Sequence, residues 1–283
     1  MIWQTSRRAI ALEKTLVMAI LNVTPDSFSD GGKFFLETKA LKQAEKLIEA
    51  GANILDIGGE STRPDSARVQ ADEEIRRVVP VIEAVSKRFD IPISIDTSKS
   101  AVAESAVNAG AEIINDVSGL SFDENIGAVA ARRKTGLILM HLRGSFETMH
   151  QQEPVAEILK EVARGFSVSI GKAKSFGVAE NSIALDMGIG FSKTFEQNLE
   201  LLANLDKLRR EFSNYPILVG TSRKSFLGKI LNDAPVDKRL QASLASAAIA
   251  VWNGAQILRV HDVKETVECL KVVESIKNRR NFQ

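Results

Sequence analysis

Three acceptor-bearing residues stand at the ends of apolar runs: Asp96 in IPISIDTS, Asn115 in AEIINDVS and Asp186 in SIALDMGIG. A carboxylate is costly to bury unless something donates to it. Two of them with an amide between them in chain order therefore ask for a ligand rich in N–H groups, or for a fixed cation. A 2-amino-4-oxo heterocycle meets that demand. Either carboxylate taken alone is explained equally well as the cap of the helix that follows. The two together with Asn115 favour a binding site.

Cationic residues gather further along. In VGTSRKSFLG, Ser222, Arg223, Lys224 and Ser225 precede an apolar helix start, and in LRVHDV, Arg259 and His261 alternate so that both can face one side. A helix N-terminus beside such cations suits an anion of two or three charges. The bland alternative is a solvated turn and an ion-pairing arginine. Two stretches, NVTPDSFSDGGKFF and GGESTRPDSARVQADEE, are rich in Gly, Pro, Ser and Asp and read as mobile lids. Asn22 and Asp30 in the first can reach a magnesium diphosphate, because Mg²⁺ takes few protein oxygens and completes its shell with phosphates and water. No acidic cage accompanies them, so the metal arrives with its substrate. Arg63 beside Pro64 is unusual for a simple turn. Of the histidines, His150 in SFETMHQQEP reads as surface, and His141 as either a packed mouth residue or a donor. HExxH, CxxC, P-loop and GxSxG signatures are missing, and no GxGxxG follows the first strand.

Positioning these residues requires elements in a fixed order. Apolar runs at 16–23, 52–59, 91–98, 111–118, 136–142, 182–190, 216–222 and 255–262 alternate with amphipathic stretches, several ending in Gly (Gly51, Gly110, Gly177, Gly254). Most runs are continuous, as strands covered on both faces should be. Eight such units predict one α/β domain over residues 1–283, a single (β/α)8 TIM barrel with long loops after strands one and two; an open doubly wound sheet is the other reading. In a barrel Asn22, Glu60, Asp96, Asn115, His141, Asp186, Ser222 and His261 converge on one mouth, whereas an open sheet spreads them along a line. The 37 basic and 36 acidic residues nearly cancel, which argues against nucleic acid or an anionic membrane as partner. Glu13 and Lys14 interrupt the opening apolar run, so the expected location is cytoplasmic, and a single Cys269 leaves no disulfide within the chain.

The segments ILNVTPDSFSDGG, GGESTRP, ISIDTSKS, INDVSGL, MHLRG, LDMGIGFSK, VGTSRKSFLG and RVHDVKET, in this order over nearly the whole chain, resemble those of the dihydropteroate synthases, a pterin-binding TIM-barrel family. The resemblance implies a cytoplasmic homodimer that condenses hydroxymethyl-dihydropterin diphosphate with p-aminobenzoate in folate biosynthesis, uses Mg²⁺ and is a sulfonamide target. It places Asp96, Asn115, Met140, Asp186, Phe191 and Lys224 around the pterin. Asn22, Arg63, Arg259 and His261 hold the diphosphate, the first through the metal. Phe28, Thr62, Pro64, Phe191, Lys224 and Ser225 surround p-aminobenzoate, and Asp96, Lys224 and Asp30 form the catalytic set. One departure is visible: DMGIGFSK (186–193) stands where most members read DPGFGFGK, and loss of an aromatic face at Ile189 is expected to alter affinity. Two other functions share the resemblance: a methyltetrahydrofolate-dependent methyltransferase, which needs no diphosphate clamp, and a non-catalytic paralogue, which lacks a site residue.

Overall fold

The computed structural model describes residues 1–23, 33–63 and 66–280. The opening segment, considered above only as a possible leader, forms a hairpin: β1 (Ile2–Gln4) pairs antiparallel with β2 (Ala9–Ala11). Each of the eight apolar runs then supplies one strand: β3 (Leu16–Asn22), β4 (Ile54–Gly58), β5 (Ile93–Asp96), β6 (Ile113–Asp116), β7 (Gly136–Met140), β8 (Ile183–Asp186), β9 (Ile217–Val219) and β10 (Ile257–Val260). They pair in parallel in chain order, and β10 returns to β3 to close the barrel. The closed reading therefore holds over the open sheet.

Around the barrel lie α1 (Lys33–Glu49), α2 (Ala71–Arg88), α3 (Ser100–Ala109), α4 (Asn125–Arg133), α5 (Ile158–Ser175), α6 (Phe195–Ala203), α7 (Leu205–Glu211), α8 (Ser225–Ile230), α9 (Leu240–Trp252) and α10 (Val263–Arg280). The stretch 195–212, which reads as one amphipathic segment, divides at Asn204. All four glycines expected after helices take positive φ. Among the described residues no helix is long and apolar enough to cross a membrane.

Strand periodicity sorts the side chains into two cores. Val17, Ala19 and Leu21 face the helices, while Met18, Ile54, Ile113, Ile138, Ala184, Leu218 and Ile257 point inward as the barrel floor. Trp3 of the hairpin seals that floor from below: it is fully buried, and its Nε1 donates to the Ser182 carbonyl at 2.8 Å. Two residues further along each strand the inward position is different in kind. There stand Ile20, Asp56, Asn115, Met140, Asp186, Gly220 and Arg259, with Asp96 beside Asn115 in register. The apolar floor thus carries a polar storey, and that storey opens at the C-terminal ends of the strands, where barrel enzymes place their sites.

Candidate active site

The mouth is lined by Ile20, Thr62, Asp96, Asn115, Val117, Met140, Asp186, Phe191, Gly220, Ser222, Lys224, Arg259 and His261. Most residues expected at the pterin and diphosphate are therefore brought together. Asn22 joins them from the end of β3: its Oδ1 and the Asp96 Oδ2 both border Gly58, at 3.8 and 3.7 Å from where a Cβ on that glycine would stand. Ser225 is exposed on the first turn of α8, and Arg63 is exposed beyond Thr62. Phe28, Asp30 and Pro64 lie outside the described residues. A larger depression at the opposite end of the barrel, lined by Arg209, Gln256 and Lys277 among others, commits two of its cations to helix ends: Arg209 donates to Ser213 O and Lys277 to Val251 O.

Arg259 organises one half of the mouth. Its Nε donates to Asp56 Oδ2 and its Nη2 to Asp96 Oδ2, both at 2.6 Å, and Asp56 Oδ2 also accepts from Asn115 Nδ2 at 3.1 Å. Asp56, fully buried, was not among the residues singled out by sequence; its signal was a carboxylate in the middle of ANILDIGG, on the inward parity of a strand covered on both faces. One guanidinium cannot fully neutralise two buried carboxylates. Burial accordingly pushes Asp96 up to about 7, Arg259 opposing and the Asp56 charge adding to the rise. Arg259 is held cationic, its pKa raised by Asp56 and Asp96 in spite of burial.

The other half is built on the turn after β8. Asp186 Oδ1 accepts from Gly188 N at 2.8 Å, and burial raises its pKa while Lys224 pulls it down. Gly188 (φ 65°) must be glycine, because a Cβ there would lie 2.2 Å from the His141 carbonyl. Met187 and Ile189 are fully buried in the apolar core, so the departure at 187–189 changes packing behind the mouth and does not remove an aromatic face from it. The Ile189 carbonyl instead receives Lys224 Nζ. That ammonium lies 4.8 Å from the Phe191 ring centroid, and burial lowers its pKa to about 8. Lys193, which sequence reasoning passed over, donates to Phe191 O at 2.9 Å and sits at about 7, driven down by burial and held up by Asp186. His141 is the packed residue of its two alternatives: it is buried, its pKa falls to about 2 for that reason, and neutral imidazole makes no ion pair with Glu161 at 3.8 Å.

His261 completes the cationic side as a neutral donor. Burial, then Arg259 and Arg223, lower its pKa to about 4. Ser222 Oγ accepts the His261 backbone N–H at 3.2 Å and lies 3.1 Å from Nδ1. With the hydroxyl proton directed to Nδ1, the ring proton belongs on Nε2, which suits a phosphate oxygen. Arg63 is close enough to add to the depression of the His261 pKa, and Arg223 is committed to Asp262 through its Nε at 3.0 Å.

The loop after β4, expected to be a mobile lid, is pinned at several points. Glu60 accepts from Val69 N at 2.6 Å across the base of the loop and pairs with Lys99 at 2.8 Å; Lys99 also pairs with buried Glu74 at 2.6 Å. Arg68 lies over Phe122 and Phe146, at 5.6 and 5.2 Å from their centroids. His150, expected at the surface, is half-buried and reaches the same loop: its Nε2 is 2.9 Å from Thr62 O, and its ring stacks on Phe191 at 5.5 Å. The loop after β3 falls at 24–32, outside the described residues.

A closed barrel whose mouth interleaves buried acceptors for a flat heterocycle with cations and a histidine for an anion defines a (β/α)8 enzyme for a small, anionic heterocyclic substrate. Known proteins make the class specific. The family model for pterin binding enzymes matches residues 18–261. The dihydropteroate synthase of Escherichia coli strain K12 is 48% identical over 261 residues, covering 92% of this chain and 90% of its own. The Yersinia pestis dihydropteroate synthase, solved as a sulfonamide drug complex, is 43% identical with a TM-score of 0.91, covering 98% of this chain and 100% of that one. The Xanthomonas albilineans dihydropteroate synthase with 4-aminobenzoic acid is 37% identical with a TM-score of 0.90 over 98% of each chain. The chain belongs to the pterin-binding enzymes, and within them to the dihydropteroate synthases.

Proposed function

We propose that this chain condenses hydroxymethyl-dihydropterin diphosphate with p-aminobenzoate, releasing diphosphate and forming dihydropteroate. The observation that carries the reading is one mouth that holds both kinds of group: Asp96, Asn115 and Asp186 can accept the N–H groups of the pterin, while Arg259, His261 and Lys224 offer positive charge or N–H donors to the departing group. The methyltransferase reading leaves those cationic and N–H groups without a role, and no expected site position among the described residues has been lost, which disfavours a non-catalytic paralogue.

In the proposed reaction the bond from the exocyclic methylene to the diphosphate oxygen breaks as positive charge spreads into the dihydropterin ring, and the arylamine nitrogen then bonds to that carbon. The amine proton leaves to solvent, since an aryl amine needs no strong base to attack a cation. Asp96, ionised, stabilises the developing charge, and the pre-set Arg259–Asp56 pair holds it in place without reorganisation. Arg259 and the Nε2 proton of His261 receive the leaving oxygens. Met140 and Phe191 wall the ring, and Thr62, Phe191, Lys224 and Ser225, with Phe28 and Pro64, surround the arylamine. Asp30 belongs to the same proposal through the loop after β3.

Magnesium suits this donor set as a companion of the substrate. Among the described residues no three His, Cys, Asp or Glu side chains form a cage, and Asn22 offers one amide oxygen at the rim beside Asp96. Held there with the diphosphate by Asn22, the ion would supply neutralising charge to the leaving group. The proposal also includes a cytoplasmic location and a homodimer. Ile249 and Trp252 on α9 with Val272 and Ile276 on α10, each more than two-fifths exposed, support a partner face, and sedimentation of the purified chain as a monomer at micromolar concentration overturns that part. The decisive assay is release of diphosphate that requires both substrates; release without p-aminobenzoate, or none with both, removes the reading.

A further inference from the structure

We propose that His150 is a positioning residue for the arylamine substrate, tying the loop that carries Thr62 to the wall that carries Phe191. The inference rests on the proposed function, which puts both of those residues at p-aminobenzoate. It begins from the way two other loops are joined. Ser192 N donates to Met149 O at 2.8 Å, and Ser192 Oγ accepts from Arg143 N at 2.9 Å, so the segment after β7 and the turn after β8 move as one piece. Met149 is buried and anchors that piece. His150, the next residue, points away from it in two useful directions at once. Its ring stacks on Phe191 with centroids 5.5 Å apart and planes at 30°, and its Nε2 lies 2.9 Å from the Thr62 carbonyl.

A carbonyl oxygen only accepts, so Nε2 is the donor whether the ring is neutral or charged. The hydrogen bond spans 88 positions of chain and joins the loop after β4 to the rest of the rim. Without it, Thr62 is held only through its chain neighbours, by Arg77 on the Gly59 carbonyl, by Glu60 on Val69 N and Lys99, and by the Ser61–Ser66 hydroxyl pair, none of which reaches across to the Phe191 wall. The distance between Thr62 and Phe191 is then free to vary. That distance is the width of the slot an aromatic amine must enter, whereas the pterin contacts at Asp96, Asn115 and Asp186 sit on strand ends, and Phe191, which walls both ligands, keeps its place on the turn after β8 through its own N–H to the Gly188 carbonyl at 3.1 Å.

The experiment combines steady-state kinetics, with both substrates varied, and amide hydrogen exchange on the free protein. His150→Ala is expected to raise KM for p-aminobenzoate about tenfold, the scale of one neutral hydrogen bond, with kcat and KM for the dihydropterin diphosphate within about twofold. The same variant is expected to exchange the amides of 61–63 faster than the parent, while those of β5 and β6 stay unchanged. His150→Gln, which keeps a donor, restores both readouts, and His150→Phe, which keeps only the ring, restores neither. The proposal is overturned by an unchanged KM for p-aminobenzoate, by equal rises in both KM values, or by recovery in His150→Phe. If the parent chain releases no diphosphate from the two substrates, the proposed function fails instead. The exchange comparison still decides whether the tie exists, and unchanged exchange at 61–63 removes it.

Discussion

Asp96 shows how one side chain can be tuned by a cluster that sequence only half revealed. Buried beside Arg259, with Asp56 competing for the same guanidinium, it is raised from the ordinary aspartate range to about 7. Below that pH it is protonated and cannot stabilise a cation; above it the charge is present. Lys224 works in the opposite sense, cationic below about 8 and neutral above. The kcat/KM for the dihydropterin diphosphate should therefore rise through about 7, fall beyond about 8, and trace a narrow bell that reports the free enzyme. Asp96→Asn should fold, lose the acid limb of that profile, and lose more than about tenfold in turnover, about 1.4 kcal/mol of barrier. A turnover within tenfold of the parent would refute the electrostatic role. For Arg259→Ala two effects coincide. Binding of the dihydropterin diphosphate should weaken more than binding of a pterin without it, measured by calorimetry. Stability in urea should also fall by about 3 kcal/mol, because Asp56 is left as an unpaired buried charge. Adding Asp56→Asn should return most of the stability and none of the affinity, which separates the two roles.

At the scale of elements, the rim is less free than its composition suggests. Gly, Pro, Ser and Asp promise a loop with little to hold it, yet Glu60, Arg68 and Thr62 are each engaged by a residue from another element: Lys99 before α3, Phe122 and Phe146 after β6 and β7, and His150 after β7. The backbone entropy of those positions, about 1–2 kcal/mol per residue, is offset before any substrate arrives. On the proposed function, p-aminobenzoate should bind at least about tenfold more tightly to enzyme saturated with Mg²⁺ and diphosphate than to free enzyme, because a diphosphate held at Arg63 would further restrict its neighbour Thr62, which the second ligand also needs. Equal affinity in the two calorimetric titrations would mean that the pocket is preformed.

Across the whole molecule the barrel separates stability from function along its axis. The N-terminal end is closed by the β1–β2 hairpin with Trp3 against Met18, Ile54, Ile138 and Ile257, and the C-terminal end is polar and open. Trp3→Ala removes a fully buried indole and strands the Ser182 carbonyl, so it should cost about 3–5 kcal/mol in chemical denaturation. Because the plug lies under an intact apolar floor, KM values for both substrates should not change below the melting transition; a parallel loss of affinity would show that the floor transmits strain to the mouth.

Much of this was determined by the sequence alone. Continuous apolar runs separated by amphipathic stretches dictate strands covered on both faces, and eight of them in parallel close on themselves. Once closed, the polar residue at the end of each run has nowhere to go but the mouth, which is why Asp96, Asn115, Asp186, Lys224, Arg259 and His261 were legible from position. What the chain could not announce were relations between side chains of distant elements. Asp56 sits on the inward parity two residues past Ile54, but its partnership with Arg259 exists only because β10 returns beside β3 and reaches across to β4. Nothing local distinguishes His150 or Lys193 from solvated loop residues; their roles arise from loops that the barrel brings to one rim. Nor does a short Ile-Trp-Gln segment carry enough periodicity to reveal that it will cap a floor built by seven other strands. Periodicity is a property of neighbours in sequence and so fixes strands and their order. Charge pairing, stacking and plugging are properties of neighbours in space, and only the closed barrel decides which residues those are.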